Sequence, residues 1–141
     1  MSRFIVDTNV VSEIWKPAPD ANVDAWVRRS DFSIPSVVVA ELHDGIEANP
    51  SLAQRTRLNG LLDRILEQTL VLSWDDETAR IWGRLRHSPV VKRNPQPLWD
   101  SLLDAIAVQH NAVIVSRNAS DFRHATVFDP WTGLEHPKES T

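Results

Sequence analysis

Short apolar runs alternate with longer segments of helical spacing along most of the chain. Phe4-Ile5-Val6 is apolar and stops on Asp7, which predicts a short buried strand over 4–7. Val10-Val11-Ser12-Glu13-Ile14-Trp15 then predicts a helix that ends before Pro17 and Pro19. A second short helix is expected over 22–29, capped by Asp20 or Asn22. Phe32-Ser33-Ile34 reads as a strand, and Ser36 as the cap of the helix VVVAELHDGIEA. Leu58, Leu61, Leu62, Ile65 and Leu66 recur at helical spacing and predict an amphipathic helix over 51–69. Residues 70–74 read as a strand. Asp75 should cap the next helix, with Ala79, Trp82 and Leu85 on one face. Three prolines and Lys92-Arg93 make 87–97 a loop. A helix over 98–110, the apolar strand 112–116 and a short strand 126–128 follow, and residues beyond Trp131 read as a frayed tail.

Strands alternating with helices predict an α/β fold with a parallel sheet covered on both faces. No two-residue hairpin signal opposes this. The length of 141 residues suits a single domain, drawn over 1–133 with a tail at 134–141. Composition narrows the function classes. Apolar residues make up 42%, yet none of the runs is long enough to cross a membrane. The absence of cysteine removes disulfides and thiolate metal sites and fits a cytoplasmic protein. A net charge of −4 means that any nucleic-acid contact comes from a local basic patch or through metal ions.

The acids carry the chemistry. In an open α/β sheet, ligands gather where strands end and helices begin. Asp7 ends the first strand, as either a helix cap or a charge presented at the strand's carboxyl end. Glu41 sits among Val37, Val38, Val39 and Leu42, a costly setting for an unpaired charge. Asp100 lies in a first helical turn, where it could simply complement the helix dipole, and Asp104 lies one turn further on the same face. Asp121 follows the 112–116 strand closely. Converging carboxylates without cationic partners repel one another, and a divalent cation relieves that repulsion. Oxygen donors alone favour Mg²⁺ or Mn²⁺, and such an ion serves phosphodiester hydrolysis by activating water and stabilising the leaving oxygen.

The segments DTNVVSE (7–13), VVVAEL (37–42), DSLLDAIA (100–107) and SRNASDF (116–122) resemble, in order and spacing, the motifs of PIN-domain ribonucleases. More narrowly, they resemble the VapC and FitB-like toxins of bacterial toxin–antitoxin pairs. The resemblance implies a three-layer α/β/α sandwich around a mostly parallel sheet. It implies a Mg²⁺-dependent endoribonuclease, with Mn²⁺ as an alternative ion. It also implies inhibition by a cognate VapB-like antitoxin, a homodimer within the toxin–antitoxin complex, and contact with operator DNA only through the antitoxin. By position, Asp7 and Asp100 would hold the metal, Glu41 would orient the attacking water, and Asp121 would complete the catalytic acids. Thr8, Ser116 and Asn118 would support them. Asp104 stands where the family usually has a small apolar residue. It is either a further ligand or a replacement for Asp100, and the register back from Ser116-Arg117-Asn118 favours Asp100.

RNA also requires positive charge beside the acids. Lys16, Lys92, Arg93, Arg117 and Arg123 are the candidates, each with solvated surface as the plainer reading. Trp15 and Trp99 are available to stack on bases, with core packing as the plainer reading. His43, His87, His110 and His124 are not at metal spacings. The apolar face of residues 51–69 is a candidate groove for a partner helix. Two other functions compete. An aspartate-nucleophile phosphatase of the haloacid-dehalogenase type needs a second aspartate two residues after Asp7, where this chain has Asn9. A non-catalytic PIN-fold binding module would have no reason to keep four costly acids.

Overall fold

The computed structural model describes residues 3–138. Its strands are β1 (Phe4–Val6), β2 (Ser33–Pro35), β3 (Leu70–Leu72), β4 (Val113–Val115), β5 (Val127–Asp129) and β6 (Leu134–His136). Its helices are α1 (Thr8–Ile14), α2 (Ala21–Arg29), α3 (Ser36–Glu47), α4 (Leu52–Gln68), α5 (Asp76–Leu85), α6 (Pro89–Arg93) and α7 (Leu98–His110). They build an α/β/α sandwich around one sheet of order β3-β2-β1-β4-β5-β6. All neighbours are parallel except β5 and β6. The chain runs outward from β1 to β3, then crosses back to β4 on the other side of β1. That reversal opens a crevice at the carboxyl ends of β1 and β4.

The strands are short, and the central ones are buried on both faces. Ile5, Val6, Ile34, Ile114 and Val115 are wholly inaccessible to solvent, which is why they read as continuous apolar runs. Helix α7 is apolar nearly all round because it is enclosed. It packs against α3, α5 and β4, and Leu103, Ala105, Ile106 and Ala107 are buried. Its left-handed C-cap at Asn111 (φ 49°) turns the chain directly into β4.

Several local expectations change. Ser36 does not cap α3; Pro35 occupies that position, and the Ser36 hydroxyl accepts from the Trp74 backbone N–H at 3.0 Å. The buried face of α5 is centred on Thr78 and Ile81, while Ala79 is exposed. Thr78 closes a capping box with Asp75. Residues 87–97 are not all loop. Pro89 sits at the first position of α6, where its missing N–H is harmless, and Val90 and Val91 are buried. The region beyond Trp131 is not all tail either, because β6 pairs antiparallel with β5 through a turn. There the Asp129 side chain accepts from the Trp131 N–H at 2.8 Å, and Gly133 takes φ 77°. Residues 139–141 of the expected tail lie outside the described residues.

Candidate active site

Asp7 leaves the end of β1 and performs both tasks open to it. One carboxylate oxygen caps α1, accepting from the Thr8 N–H at 2.8 Å. The other accepts from the Ser116 hydroxyl at 2.7 Å and from the Asn9 amide at 3.3 Å. Ser116 leaves the end of β4, so this bond spans the crevice. The Ser116 oxygen also accepts from Asn9 at 3.0 Å and from the Asn118 N–H at 3.1 Å. Glu41, on α3, accepts a hydrogen bond from the Thr8 hydroxyl. Asp100 lies in the first turn of α7, and Asp121 ends a 3₁₀ turn over Ala119–Asp121.

Asp7, Glu41, Asp100 and Asp121 line one open cleft of about 580 Å³, with Thr8, Asn9, Asn118, Pro97 and Trp99 among its other walls. The four acids come from four separated segments and meet at the topological crevice. A larger hollow, about 730 Å³, lies near Arg3, Val113 and Thr126 at the amino ends of β1, β4 and β5, and contains no carboxylate.

The cleft is electronegative. Partial burial, then the charges of Asp7, Asp121, Glu41 and Asp104, push the Asp100 carboxyl up to about 7. Burial raises Asp7 above its ordinary value; the Ser116 and Thr8 hydrogen bonds pull it down, and Glu41 and Asp121 push it up. Neither acid has a salt-bridge partner among those found in the described residues. Among the described residues, no group of three or more carboxylates or imidazoles is placed so that it could hold a metal ion. An open, oxygen-only set matches Mg²⁺, which keeps several waters and uses one or two carboxylates plus substrate oxygens.

Asp104 belongs elsewhere. It is buried and absent from the cleft wall. One of its oxygens accepts from the Arg123 and His124 backbone N–H groups, each at 2.9 Å, and from Gln96 at 3.2 Å. Arg123 is likewise not a surface cation. It is 4% exposed, and its guanidinium donates to the carbonyls of Asn94, Ser120 and Pro95. Lys16 is held by Glu13 at 2.9 Å, and Arg117 lies over the Trp131 ring at 4.4 Å. Lys92 and Arg93 are exposed on α6. Trp99 is not core: it is 42% exposed on the cleft wall. Trp15 is half-buried. Sequence reading gave no role to Asn9 or Gln96. Asn9 lies two residues after Asp7 and braces it, whereas Gln96 acquires its partners only in the folded chain.

A model of the PIN domain matches residues 4–127. The chain belongs to the PIN-domain family. The VapC ribonuclease Y4jK of Sinorhizobium fredii is 30% identical to this PIN domain over 136 residues, covering 91% of this chain and 97% of that protein. Toxin FitB of Neisseria gonorrhoeae is 28% identical over 140 residues, covering 91% and 98%. The structure of FitAB bound to a DNA fragment superposes with a TM-score of 0.82 at 26% identity, covering 94% of this PIN domain and 98% of that chain. None of the helices among the described residues is long and apolar enough to cross a membrane.

Proposed function

We propose that this PIN domain is a divalent-metal-dependent endoribonuclease and the toxin half of a toxin–antitoxin pair. The observation that carries the reading is the convergence of Asp7, Glu41, Asp100 and Asp121 on one cleft. Full-length similarity to a VapC ribonuclease and to toxin FitB supports it.

A divalent ion held by Asp7 and Asp100 would supply the charge neutralisation and Lewis acidity that phosphodiester hydrolysis requires. The chain's own groups do the rest. Thr8, Ser116 and Asn9 fix the Asp7 carboxylate in one orientation, so it need not reorganise during reaction. Glu41, itself held by the Thr8 hydroxyl, orients the attacking water. Asp121 closes the far side of the cleft. Lys92, Arg93 and Arg117 are the exposed cations that meet the RNA backbone.

The partner is a VapB-like antitoxin. Two grooves run along α4, where only Leu62 is fully buried. One, of about 380 Å³, is lined by Trp15, Leu42, Ile46 and Leu58, and it shares Thr8, Ser12 and Glu41 with the acid cleft. The other, of about 510 Å³, is lined by Ile14, Val27, Phe32, Leu61 and Ile65. An apolar antitoxin segment seated there reaches the acids directly. Operator DNA is contacted only through the antitoxin. The toxin forms a homodimer within that complex and acts in the cytoplasm.

The test uses purified, antitoxin-free chain with single-stranded and structured RNAs. Endonucleolytic products should appear with Mg²⁺ or Mn²⁺ and vanish with EDTA. Cleavage that survives chelation removes the metal from the account. An aspartate-nucleophile phosphatase would instead release phosphate from monoesters and leave RNA chains uncut.

A further inference from the structure

Asp104 lies outside the acid cleft, and the geometry around it is specific. It sits on α7 one turn after Asp100, in a buried position where a charge is costly. One oxygen takes three N–H donors: the backbone amides of Arg123 and His124, and the side-chain amide of Gln96. The same Gln96 nitrogen donates to the backbone carbonyl of Asp121 at 2.9 Å. The Arg123 guanidinium then ties the carbonyls of Asn94 and Pro95 to that of Ser120. Two segments are therefore fastened to α7. One, 118–124, carries Asp121. The other, 94–97, leads into Pro97 and Trp99 on the cleft wall. The second Asp104 oxygen is buried without a hydrogen-bond partner.

We propose that Asp104 is a positioning residue: through Gln96 and the Arg123–His124 amides it locks the Asp121 segment and the 94–97 loop onto the helix that bears Asp100. The two acids, which line the same cleft, are thereby held in one register. Asp104 does this as an acceptor, and its charge is not required. That separates it from Asp7 and Asp100, whose charge is. The catalytic part of this assignment rests on the ribonuclease reading; the clamp itself does not.

Three variants separate the possibilities. Asp104→Asn keeps an acceptor oxygen for all three donors and removes the charge. Asp104→Ala leaves two buried amides without an acceptor. Gln96→Ala cuts the link to the Asp121 carbonyl and leaves the Asp104 carboxylate with its two backbone donors. Each is measured for melting temperature, for hydrogen exchange at Arg123 and His124, and for kcat and KM on RNA. Asp104→Asn should keep amide protection and most of the native kcat. Asp104→Ala should lose the protection and lower kcat by on the order of a hundredfold, the scale of a small misplacement of reacting groups. Gln96→Ala should lower kcat at little-changed KM, with Arg123 and His124 amide protection kept and only a small drop in melting temperature, a split that a purely structural contact would not give. If Asp104→Ala does not fold, Gln96→Ala and Asp104→Asn still decide. Asp104→Asn as inactive as Asp100→Asn would overturn the proposal, because the charge would then be essential. Gln96→Ala with native kcat would equally overturn it. If the native chain cleaves no RNA, the ribonuclease reading fails, and amide protection in Asp104→Asn against its loss in Asp104→Ala still tests the clamp.

Discussion

Asp7→Asn is expected to reduce RNA cleavage by at least about 10²-fold, the scale for deleting one electrostatic partner of a transition state, while leaving the fold intact. The substitution isolates one role of a residue that has two. Asparagine is as good an N-cap as aspartate, so the bond from the Thr8 N–H survives. The Ser116 hydroxyl already accepts from Asn9 and from the Asn118 N–H, so the new amide gives up the one bond that Ser116 now donates. The charge is lost with that bond, and burial already works against the charge. Relief of the buried charge offsets the lost bond, so the ion-free variant should melt near the native temperature while its activity collapses. Asp100→Asn should behave the same way, because its charge too is opposed by burial and by three neighbouring cleft acids. Circular-dichroism melts beside single-turnover cleavage measure both halves. A variant that loses activity only in proportion to lost stability would mean that Asp7 is merely a cap.

The second large effect is a dependence of ion-free stability on pH. The folded-state pKa of Asp100, about 7, lies above the ordinary 3.8. Below 3.8 the group is protonated in both states, and its contribution is fully present. As pH rises past 3.8 the unfolded chain releases the proton while the folded chain keeps it, so stability falls until about pH 7. The cleft is open and Asp100 is only partly buried, so solvent screening reduces the effect to about 1–2 kcal/mol. Glu13 and Asp75 shift the other way. Their contributions are present above their unfolded values and are lost as pH falls through their lowered ones. Comparing the native chain with Asp100→Asn cancels them. Urea unfolding in EDTA at pH 5 and pH 8 should show the native chain losing more stability than the variant. Equal losses would mean that the cleft does not hold Asp100 protonated.

Much of this was legible in the sequence because it rests on local pattern. The buried strands β1 and β4 are apolar runs, and the motifs that end them carry Asp7 and Ser116 in register. Asp20 and Asp75 cap their helices through their own neighbours. What stayed hidden depends on contacts far apart in the chain. Helix α6 looks like a loop because three prolines surround it, yet burial of Val90 and Val91 orders it. Strand β6 follows a turn longer than two residues, so the usual hairpin signal is absent. Arg123 has the composition of a surface cation, but carbonyls of the distant Asn94–Pro95 segment and of its own turn surround it. Asp104 and Asp100 share one helix face and differ only in what the folded chain brings to each. Asp100 meets other acids; Asp104 meets backbone amides.

The central claim is that four dispersed acids form one hollow that a hard dication completes. Mn²⁺ titration of the RNA-free chain at pH 8, followed by calorimetry and by the loss of the free-ion paramagnetic resonance signal, tests it most directly. Saturable binding to the native chain, abolished in Asp7→Asn and in Asp100→Asn but kept in Asp104→Asn, is the predicted result. A native chain that binds no Mn²⁺, or an Asp7→Asn variant that binds it equally well, would contradict the account.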